Sequence, residues 1–357
     1  MLRTLLTKIN HEIRQPDVVA DRCVHSLVDG AECNACVSVC PKKAWILDDE
    51  ALGFDTSLCD GCGLCVPACP QGAIEKTVEL EIKQSGDRQT LLCTCEPTQI
   101  TEKDNLLPCI HSIGTQEILG LYSTGVREIA VTTEDCNQCE RGTATRLKER
   151  LDLVNNALNY QGLDKIESRH LSRSEWLSQN KLLSCDVEGE QLSRRSFLGS
   201  LLTSGLESGV KRSCFTFSAS TDFMPPGRLL PQSCSDTLWP YLPEIDQNLC
   251  SGCDVCAKAC PHRAITLDSP EWATCYLIEP ANCTGCGICH DLCDQDALSI
   301  HQWRTQDQHQ LALATQRCRA CGVVYHRPQE KAVGDESKCH ICATHNHHSK
   351  LFQVLPN

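Results

Sequence analysis

The sequence has few aromatic residues and no long apolar run. Phe, Trp and Tyr make up 4% of the 357 residues, and no segment approaches 18 consecutive apolar residues, which excludes a typical membrane-spanning helix. A formal net charge of −13 opposes binding to nucleic-acid phosphates or to anionic lipid. Residues 1–15 lack the apolar stretch of an export signal, so we expect a cytoplasmic protein. Dinucleotide-binding, P-loop and H-E-x-x-H motifs are missing, so no catalytic residues are predicted.

Cysteine, by contrast, occupies 29 positions. A short secreted chain with this much cysteine would be a disulfide scaffold, but this chain is long and its cysteines form C-x-x-C runs. At roughly 150 residues per domain, the length predicts two or three globular units. Because cysteine supplies a large share of the apolar residues, we expect bound metal to replace part of an apolar core.

Four cysteine runs share a similar spacing and form two pairs. Two of the runs have the full pattern C-x2-C-x2-C-x3-C-P, and their cysteines are Cys59, Cys62, Cys65, Cys69 and Cys250, Cys253, Cys256, Cys260. The other two runs contain Cys33, Cys36, Cys40, with Cys23 upstream as the candidate fourth ligand, and Cys283, Cys286, Cys289, Cys293. The pattern is typical of [4Fe–4S] binding.

The paired runs resemble bacterial two-cluster ferredoxins over about residues 20–80 and 245–302. In that family the last cysteine of each run binds the cluster of the other run. The resemblance implies four [4Fe–4S] clusters, with the ligand sets Cys23, Cys33, Cys36 with Cys69; Cys59, Cys62, Cys65 with Cys40; Cys250, Cys253, Cys256 with Cys293; and Cys283, Cys286, Cys289 with Cys260. Asp294 replaces the usual proline, which removes a turn residue but no ligand. Zinc ribbons are the alternative, but they use paired C-x-x-C.

Residues 88–168 alternate between strand and helix patterns. Strands are predicted at 88–92 and 128–132, and helices at 116–122 and from about 143 to 160. The alternation predicts a small parallel α/β module. Its five cysteines lie mostly near strand ends, where ligands bind in such sheets, and they are Cys93, Cys95, Cys109, Cys136 and Cys139.

The order Cys93-x-Cys95, Leu107-Pro108-Cys109 and Cys136-x2-Cys139, followed by a helix containing Arg150, resembles the delta subunit of methyl-viologen-reducing hydrogenase. The resemblance implies a [2Fe–2S] cluster and a link between hydrogenase or formate dehydrogenase and heterodisulfide reductase. The C-x-C and C-x2-C spacings depart from those of the family, so the resemblance leaves open which four of the five cysteines bind. A redox-active or zinc-binding thiol set and merely structural cysteines are the alternatives.

Residues 170–240 are rich in serine, and they predict a poorly packed connector. Within them, 193–198 (Ser-Arg-Arg-Ser-Phe-Leu) resembles the twin-arginine-like stretch of accessory ferredoxins of periplasmic nitrate reductase systems. That resemblance implies docking to a partner or to a chaperone. A Ser-capped amphipathic helix with exposed arginines is the alternative.

The C-terminal residues contain two C-x-x-C knuckles, 17 residues apart, formed by Cys318, Cys321, Cys339 and Cys342. The spacing predicts a four-thiolate zinc ribbon whose folding depends on the metal, and a rubredoxin-like iron centre would use the same ligands. Nearby histidines, including His340, are expected to be solvated. Cys275, in a strand-like run, is expected to be a buried apolar residue.

Together the patterns predict an α+β multidomain protein. Its parts are two ferredoxin-like modules with two [4Fe–4S] clusters each (1–82 and 241–305), an α/β module (86–168), a linker (169–240) and a zinc ribbon (312–357). The predicted function is electron transfer in anaerobic metabolism. The resemblances imply a protein partner that is a molybdenum- or tungsten-dependent oxidoreductase such as formate dehydrogenase. The alternatives are an accessory factor that assembles such an enzyme, and a thiol–disulfide subunit of heterodisulfide reductase type.

Overall fold

The computed structural model describes residues 15–47, 52–85, 88–100, 105–141, 146–185, 213–217, 223–231, 237–269, 274–333 and 338–344. The chain divides into two compact units, Met1–Cys23 with Asn34–Met224, and Val24–Cys33 with Pro225–Asn357. The predicted twin-arginine-like stretch, and the side chains of Cys185, Cys214 and Cys234, lie outside the described residues.

The strands are β1 (Asp17–Val18), β2 (Trp45–Leu47), β3 (Leu52–Phe54), β4 (Ile74–Glu75), β5 (Val78–Ser85), β6 (Arg88–Cys95), β7 (Leu106–Leu107), β8 (Val126–Thr132), β9 (Glu167–His170), β10 (Ser213–Phe217), β11 (Leu242–Ile245), β12 (Ile265–Asp268), β13 (Thr274–Ile278), β14 (Leu298–His301), β15 (Gln310–Arg317) and β16 (Val324–Pro328). The α-helices are α1 (Val24–Leu27), α2 (Ala35–Val39), α3 (Thr115–Ser123), α4 (Arg146–Tyr160), α5 (Arg173–Cys185), α6 (Pro226–Leu229), α7 (Val255–Ala259), α8 (Ile288–Asp291) and α9 (His340–Thr344).

The first part of the first unit consists of two small antiparallel strand pairs. β1 pairs with β4, and β2 pairs with β3. The apolar residues between the cysteines are too few for a large core, and the buried cluster is built from cysteines with Trp45 and Ile74. The rings of Trp45 and Phe54 stack with centroids 4.4 Å apart. Cysteine therefore takes the place of aliphatic core here.

A six-stranded sheet forms the rest of the first unit, in the order β10-β5-β6-β8-β9, with β7 beside β6. β6, β7, β8 and β9 run parallel, as the strand–helix alternation predicts. β5 pairs antiparallel with β6, and β10 pairs antiparallel with β5. α4 contacts α3 and the 3₁₀ turn Ile110–Ser112, and the residues of its buried face are Leu147, Leu151, Val154, Ala157 and Leu158.

The segment predicted as a loose connector differs in its first part. α5 follows β9 and packs on the sheet, because Trp176 on α5 is 0% exposed and lies with Leu92 and Ala130 in one apolar cluster. The Trp176 indole N–H donates to the carbonyl oxygen of Cys93 at 3.1 Å. A single large aromatic residue thus anchors this helix in a stretch that otherwise has a polar composition.

The second unit repeats the two strand pairs and extends one of them. β11 pairs with β14, and β12 pairs with β13, as in the first unit. β15 adds to β13, and β16 adds to β15, so the C-terminal hairpin belongs to the same four-stranded sheet. Leu311 and Leu313 of β15 are buried in the core with Ile265, Tyr276 and Ile278.

Cys275 is not the buried residue expected from its strand-like surroundings. It lies on β13, where Tyr276 and Ile278 face the core, so strand alternation directs Cys275 to the opposite, partly exposed face. Its Sγ lies 4.0 Å from the side-chain oxygen of Gln310. Across the described part of the chain, no helix has both the length and the apolar character needed to cross a membrane.

Candidate iron–sulfur and metal centres

The last cysteine of each run begins a turn of the same geometry. In each turn the backbone N–H four residues later donates to the cysteine Sγ, at 3.4, 3.2, 3.2 and 3.3 Å for Cys40, Cys69, Cys260 and Cys293. The four donors are buried alanines: Ala44, Ala73, Ala264 and Ala297. The residue before each alanine has positive φ, and these residues are Lys43, Gly72, Arg263 and Asp296. Asp294 therefore occupies the same turn as the prolines, and each sulfur is already hydrogen-bonded in the way that tunes iron–sulfur clusters.

In the first unit, Cys59, Cys62 and Cys65 lie near Cys40. Burial raises the pKa of Cys65 to about 12, and repulsion from the other three thiols adds to the shift. The pKa of Cys59 is raised by burial, although a backbone N–H from Gly61 at 3.4 Å opposes the rise. These four adjacent thiols stay protonated at neutral pH. They form a donor set for a metal cation, which displaces the thiol protons when it binds.

The other predicted ligand set near the N-terminus contains Cys23, Cys33, Cys36 and Cys69. Burial raises the pKa of Cys69, and repulsion from Cys23 contributes. Cys36 is buried on α2, and Cys33 is half-buried, with its carbonyl oxygen 2.7 Å from Nε2 of His25. The structure therefore brings Cys23 close to Cys69 despite the long loop expected after it.

In the second unit, Cys250, Cys253, Cys256 and Cys293 line one pocket. Burial raises the pKa of Cys256 to about 12, and the other three thiols of the pocket contribute. A separate group contains Cys283, Cys286, Cys289 and Cys260. Burial raises the pKa of Cys283 to about 12, with contributions from Cys286 and Cys260. Each group combines three cysteines of one run with the last cysteine of the other run.

The middle sheet places four of its five cysteines around one pocket. Cys95 ends β6, Cys109 follows β7, and Cys136 and Cys139 follow β8, so all four lie beyond the carboxyl ends of neighbouring parallel strands. Burial raises the pKa of Cys95 to about 12, and repulsion from the other three thiols contributes. Cys93 is 0% exposed and does not line the pocket, because it lies two residues before Cys95 on the same face of β6, inside the sheet and not at its carboxyl end.

This pocket contacts the Cys59–Cys65 run directly. Leu64, 1% exposed, packs in one apolar cluster with Cys62 of the run and Cys109 of the pocket. Arg141, which lines the pocket, forms ion pairs with Asp60 at 2.8 Å and with Glu96 at 3.1 Å. A leucine side chain and a shared arginine therefore connect two groups of cysteines in the first unit.

His111 also lines the middle pocket and is 4% exposed. The backbone N–H of Leu147, at the start of α4, donates to its Nδ1 at 3.3 Å. Burial lowers the pKa of His111 to about 4, and the charges of Arg150 and Arg146 add to the effect, so the ring is neutral near pH 7. Its Nε2 is buried and has no hydrogen-bond partner among the described residues.

At the C-terminal hairpin, the Sγ atoms of Cys318, Cys321, Cys339 and Cys342 all lie within 4.8 Å of one another. The first knuckle is a tight turn between β15 and β16, with Gly322 at φ +76°. Hydrogen bonds, first among them the one from the backbone N–H of Cys339 at 3.3 Å, lower the pKa of Cys318 to about 6. Neighbouring sulfurs, Cys321 first, raise the pKa of Cys342 to about 12. This donor set fits a tetrahedral metal ion.

The hairpin also covers the Cys250–Cys256 run. Gly252, at φ +74°, lies against the backbone of His326 and Arg327 on β16, so closely that a Cβ would overlap the His326 carbonyl oxygen. Lys331 donates from Nζ to the carbonyl oxygen of Cys250 at 3.3 Å. The hairpin therefore forms one wall of this cysteine loop.

A polar network between β13, β16 and α7 supports that wall. The Tyr276 hydroxyl donates to Asp254 Oδ1 at 2.7 Å, and His326 Nε2 lies 2.5 Å from the same oxygen. No sequence motif predicts Asp254, His326, His111 or Arg141. Each of them acts through a partner that is distant in sequence, and no spacing pattern marks such a residue. The N–H···S turns, by contrast, have a visible sequence signal, which is an alanine four positions after the last cysteine of each run.

The comparisons with known proteins agree with the cysteine geometry. A family model described as a 4Fe-4S binding domain matches residues 52–75 and 243–266. An uncharacterized ferredoxin of Methanocaldococcus jannaschii is 36% identical over 52 residues, which are 14% of this chain and 84% of that protein. The chain belongs to the ferredoxin family. It is therefore an iron–sulfur electron-transfer protein with a [4Fe–4S] binding domain in each of the two matched regions.

Two other relatives match this chain over a smaller share of their own length. Hydrogenase-4 component A of Escherichia coli is 30% identical over 110 residues, 30% of this chain and 48% of that protein. Pyruvate synthase subunit PorD of Thermotoga maritima is 33% identical over 70 residues, 19% of this chain and 64% of that protein. The chain thus spans less than two thirds of the length of each of these two relatives.

Proposed function

We propose that the chain is a multicluster electron conduit containing four [4Fe–4S] clusters, one [2Fe–2S] cluster and one zinc ion. The cubanes are held by the four crossed ligand sets implied by the ferredoxin resemblance, and each receives one of the four N–H···S turns. Such clusters supply reversible one-electron transfer at low potential. The chain's own residues hold the centres, donate hydrogen bonds to sulfur and exclude water.

The contact between the Cys59–Cys65 run and the middle pocket carries this proposal. Leu64 touches cysteines of both groups, so packed side chains connect one centre to the other. Arg141 provides a positive charge to both groups through its position in the pocket and its pair with Asp60. The middle centre therefore exchanges electrons directly with the first ferredoxin module. Its ligands are Cys95, Cys109, Cys136 and Cys139. The second ferredoxin module, at 241–305, is the other end of the conduit.

The zinc ion has a structural role in this proposal. Four thiolates with no open position are typical of structural zinc, and the hairpin that they close forms a wall of the Cys250–Cys256 run. A rubredoxin-like iron at the same residues would add a third kind of redox centre. Metal analysis distinguishes the two.

We propose that the partner is a large oxidoreductase of the molybdenum- or tungsten-dependent kind, such as formate dehydrogenase. The resemblance of the middle module to a hydrogenase delta subunit supports a protein partner. Two relatives also bear the names of a hydrogenase component and a pyruvate synthase subunit. The net charge of −13 favours a basic docking surface on the partner.

The test is an EPR-monitored redox titration of the anaerobically purified full chain, with iron, zinc and sulfide measured on the same sample. The proposal predicts about 18 iron atoms, one zinc and several signals below about −300 mV, within the range that these clusters occupy. Substoichiometric iron that is readily lost would refute the conduit and favour an accessory factor that delivers clusters. Inactivation of a disulfide reductase activity by alkylation would favour the thiol–disulfide alternative.

A further inference from the structure

His111 has one ring nitrogen that is satisfied and one that is not. Because the backbone N–H of Leu147 donates to Nδ1, that atom is an acceptor and carries no proton. An imidazole whose Nδ1 accepts a hydrogen bond has its N–H at Nε2, and this atom is buried without a partner in the described part of the chain. Buried donors in folded proteins are rarely left unpaired, so this N–H calls for an acceptor.

The surroundings of His111 supply a candidate acceptor. His111 lines the same pocket as Cys95, Cys109, Cys136 and Cys139, two residues after Cys109 in a 3₁₀ turn (Ile110–Ser112). Thiolate and sulfide sulfurs accept hydrogen bonds, and those bonds help to set the potential of a cluster. A donor of this kind stabilises the reduced, more negative state more than the oxidised state.

We propose that the Nε2–H of His111 donates a hydrogen bond to a sulfur of the iron–sulfur centre in the middle pocket and raises its reduction potential. This inference rests on the proposed function, because it requires a centre in that pocket. His111 is a positioning residue that tunes the reduction potential of the centre. It is not a ligand, and the electron is gained and lost by the centre itself.

The backbone around His111 is held independently of its ring. Arg150 on α4 donates from Nη1 to the carbonyl oxygens of His111 and Ile113, both at 2.8 Å. Replacing the imidazole therefore leaves the turn anchored to α4. This allows the role of the ring to be separated from that of the backbone.

Two substitutions separate the two ring nitrogens. In His111→Asn the side-chain oxygen can still accept from Leu147, but no donor remains at the Nε2 position. In His111→Gln a donor remains near the Nε2 position, but the acceptor for Leu147 is lost. A merely structural role at the start of α4 predicts that Gln is the more harmful change, whereas the proposal predicts that Asn is.

The experiment titrates the EPR signal of the middle centre in the full-length wild-type chain and in each variant. We expect His111→Asn to disfavour reduction about tenfold, a shift of about −59 mV for one electron, and His111→Gln to shift less. Trp176→Phe is the control, because it removes a buried ring N–H from α5, which packs on the same sheet outside the pocket. We expect no shift for this variant.

Three results would overturn the inference. They are an unchanged potential in His111→Asn, a larger shift in His111→Gln than in His111→Asn, and loss of the centre in both variants, which would make His111 a ligand or a folding requirement. Failure of the proposed function is a different result: the wild-type chain would then contain no middle signal and only about 16 iron atoms.

Discussion

The seating of the C-terminal hairpin on the second ferredoxin module can be tested at a single glycine. Gly252 lies between two cysteines of the Cys250–Cys256 run, and its φ of +74° places it in the left-handed region. A methyl group there meets the backbone of β16, with the Arg327 Cα at 2.9 Å and the His326 carbonyl oxygen closer still. Because the obstacle is backbone, it yields only if the hairpin moves.

Two free-energy costs add in Gly252→Ala. The left-handed backbone costs an alanine about 1–2 kcal/mol, and the overlap with β16 adds about 1–3 kcal/mol. Gly287→Ala is the matched control, since Gly287 also lies between cluster cysteines, at φ +87°, but has only the Asp291 carboxylate oxygens at 3.7 Å. It therefore incurs the first cost without the second. Gly322→Ala, with nothing within 4 Å, is a second control.

The assay is urea unfolding of the anaerobic, metal-loaded protein, followed by cluster absorbance, with iron and zinc contents checked first. We expect the free energy of unfolding to fall by about 1–3 kcal/mol more in Gly252→Ala than in Gly287→Ala. Equal losses in the two variants would show that β16 is not seated on the cysteine loop in solution. The same outcome would remove the argument that the hairpin shields this cluster.

Three further predictions concern the route, the crossed ligands and the metal of the hairpin. Leu64→Ala should cost about 2–5 kcal/mol of stability and slow reduction of the middle centre in freeze-quench EPR. Leu64→Met should preserve both the stability and the rate. Equal rates in the wild type and both variants would contradict electron transfer through Leu64. Cys253→Ala and Cys293→Ala should each abolish the same cluster, so the double variant should lose no more iron than either single variant; additive iron loss would separate the two ligands. Cys342→Ala should lose the zinc and expose the neighbouring cluster to faster bleaching in air, while His340→Ala should retain the zinc; a zinc-free wild-type chain would refute the zinc assignment.

The sequence alone was sufficient to locate the [4Fe–4S] binding regions. The spacing within a run such as Cys250–Cys260 is a local property, because a few residues of tight turn determine where successive sulfurs point. The same holds for α3, α4, β6 and β8, whose periodic apolar residues predict them closely. Trp176 marks the limit of this reasoning: its polar surroundings favoured a loose connector, and only packing against β6 and β8 makes α5 part of the module.

Tertiary structure decided the relations between distant residues. Which four of the five middle cysteines share a pocket depends on how β6, β7 and β8 align, and this alignment leaves Cys93 inside the sheet, paired with Val131. The contact of Leu64 with Cys109, and the pair of Arg141 with Asp60, join segments about 45 and 80 residues apart. Ligand spacing within a run is fixed by local backbone geometry and can be read from the sequence. Contacts across such separations depend on strand pairing and core packing, which no local pattern encodes.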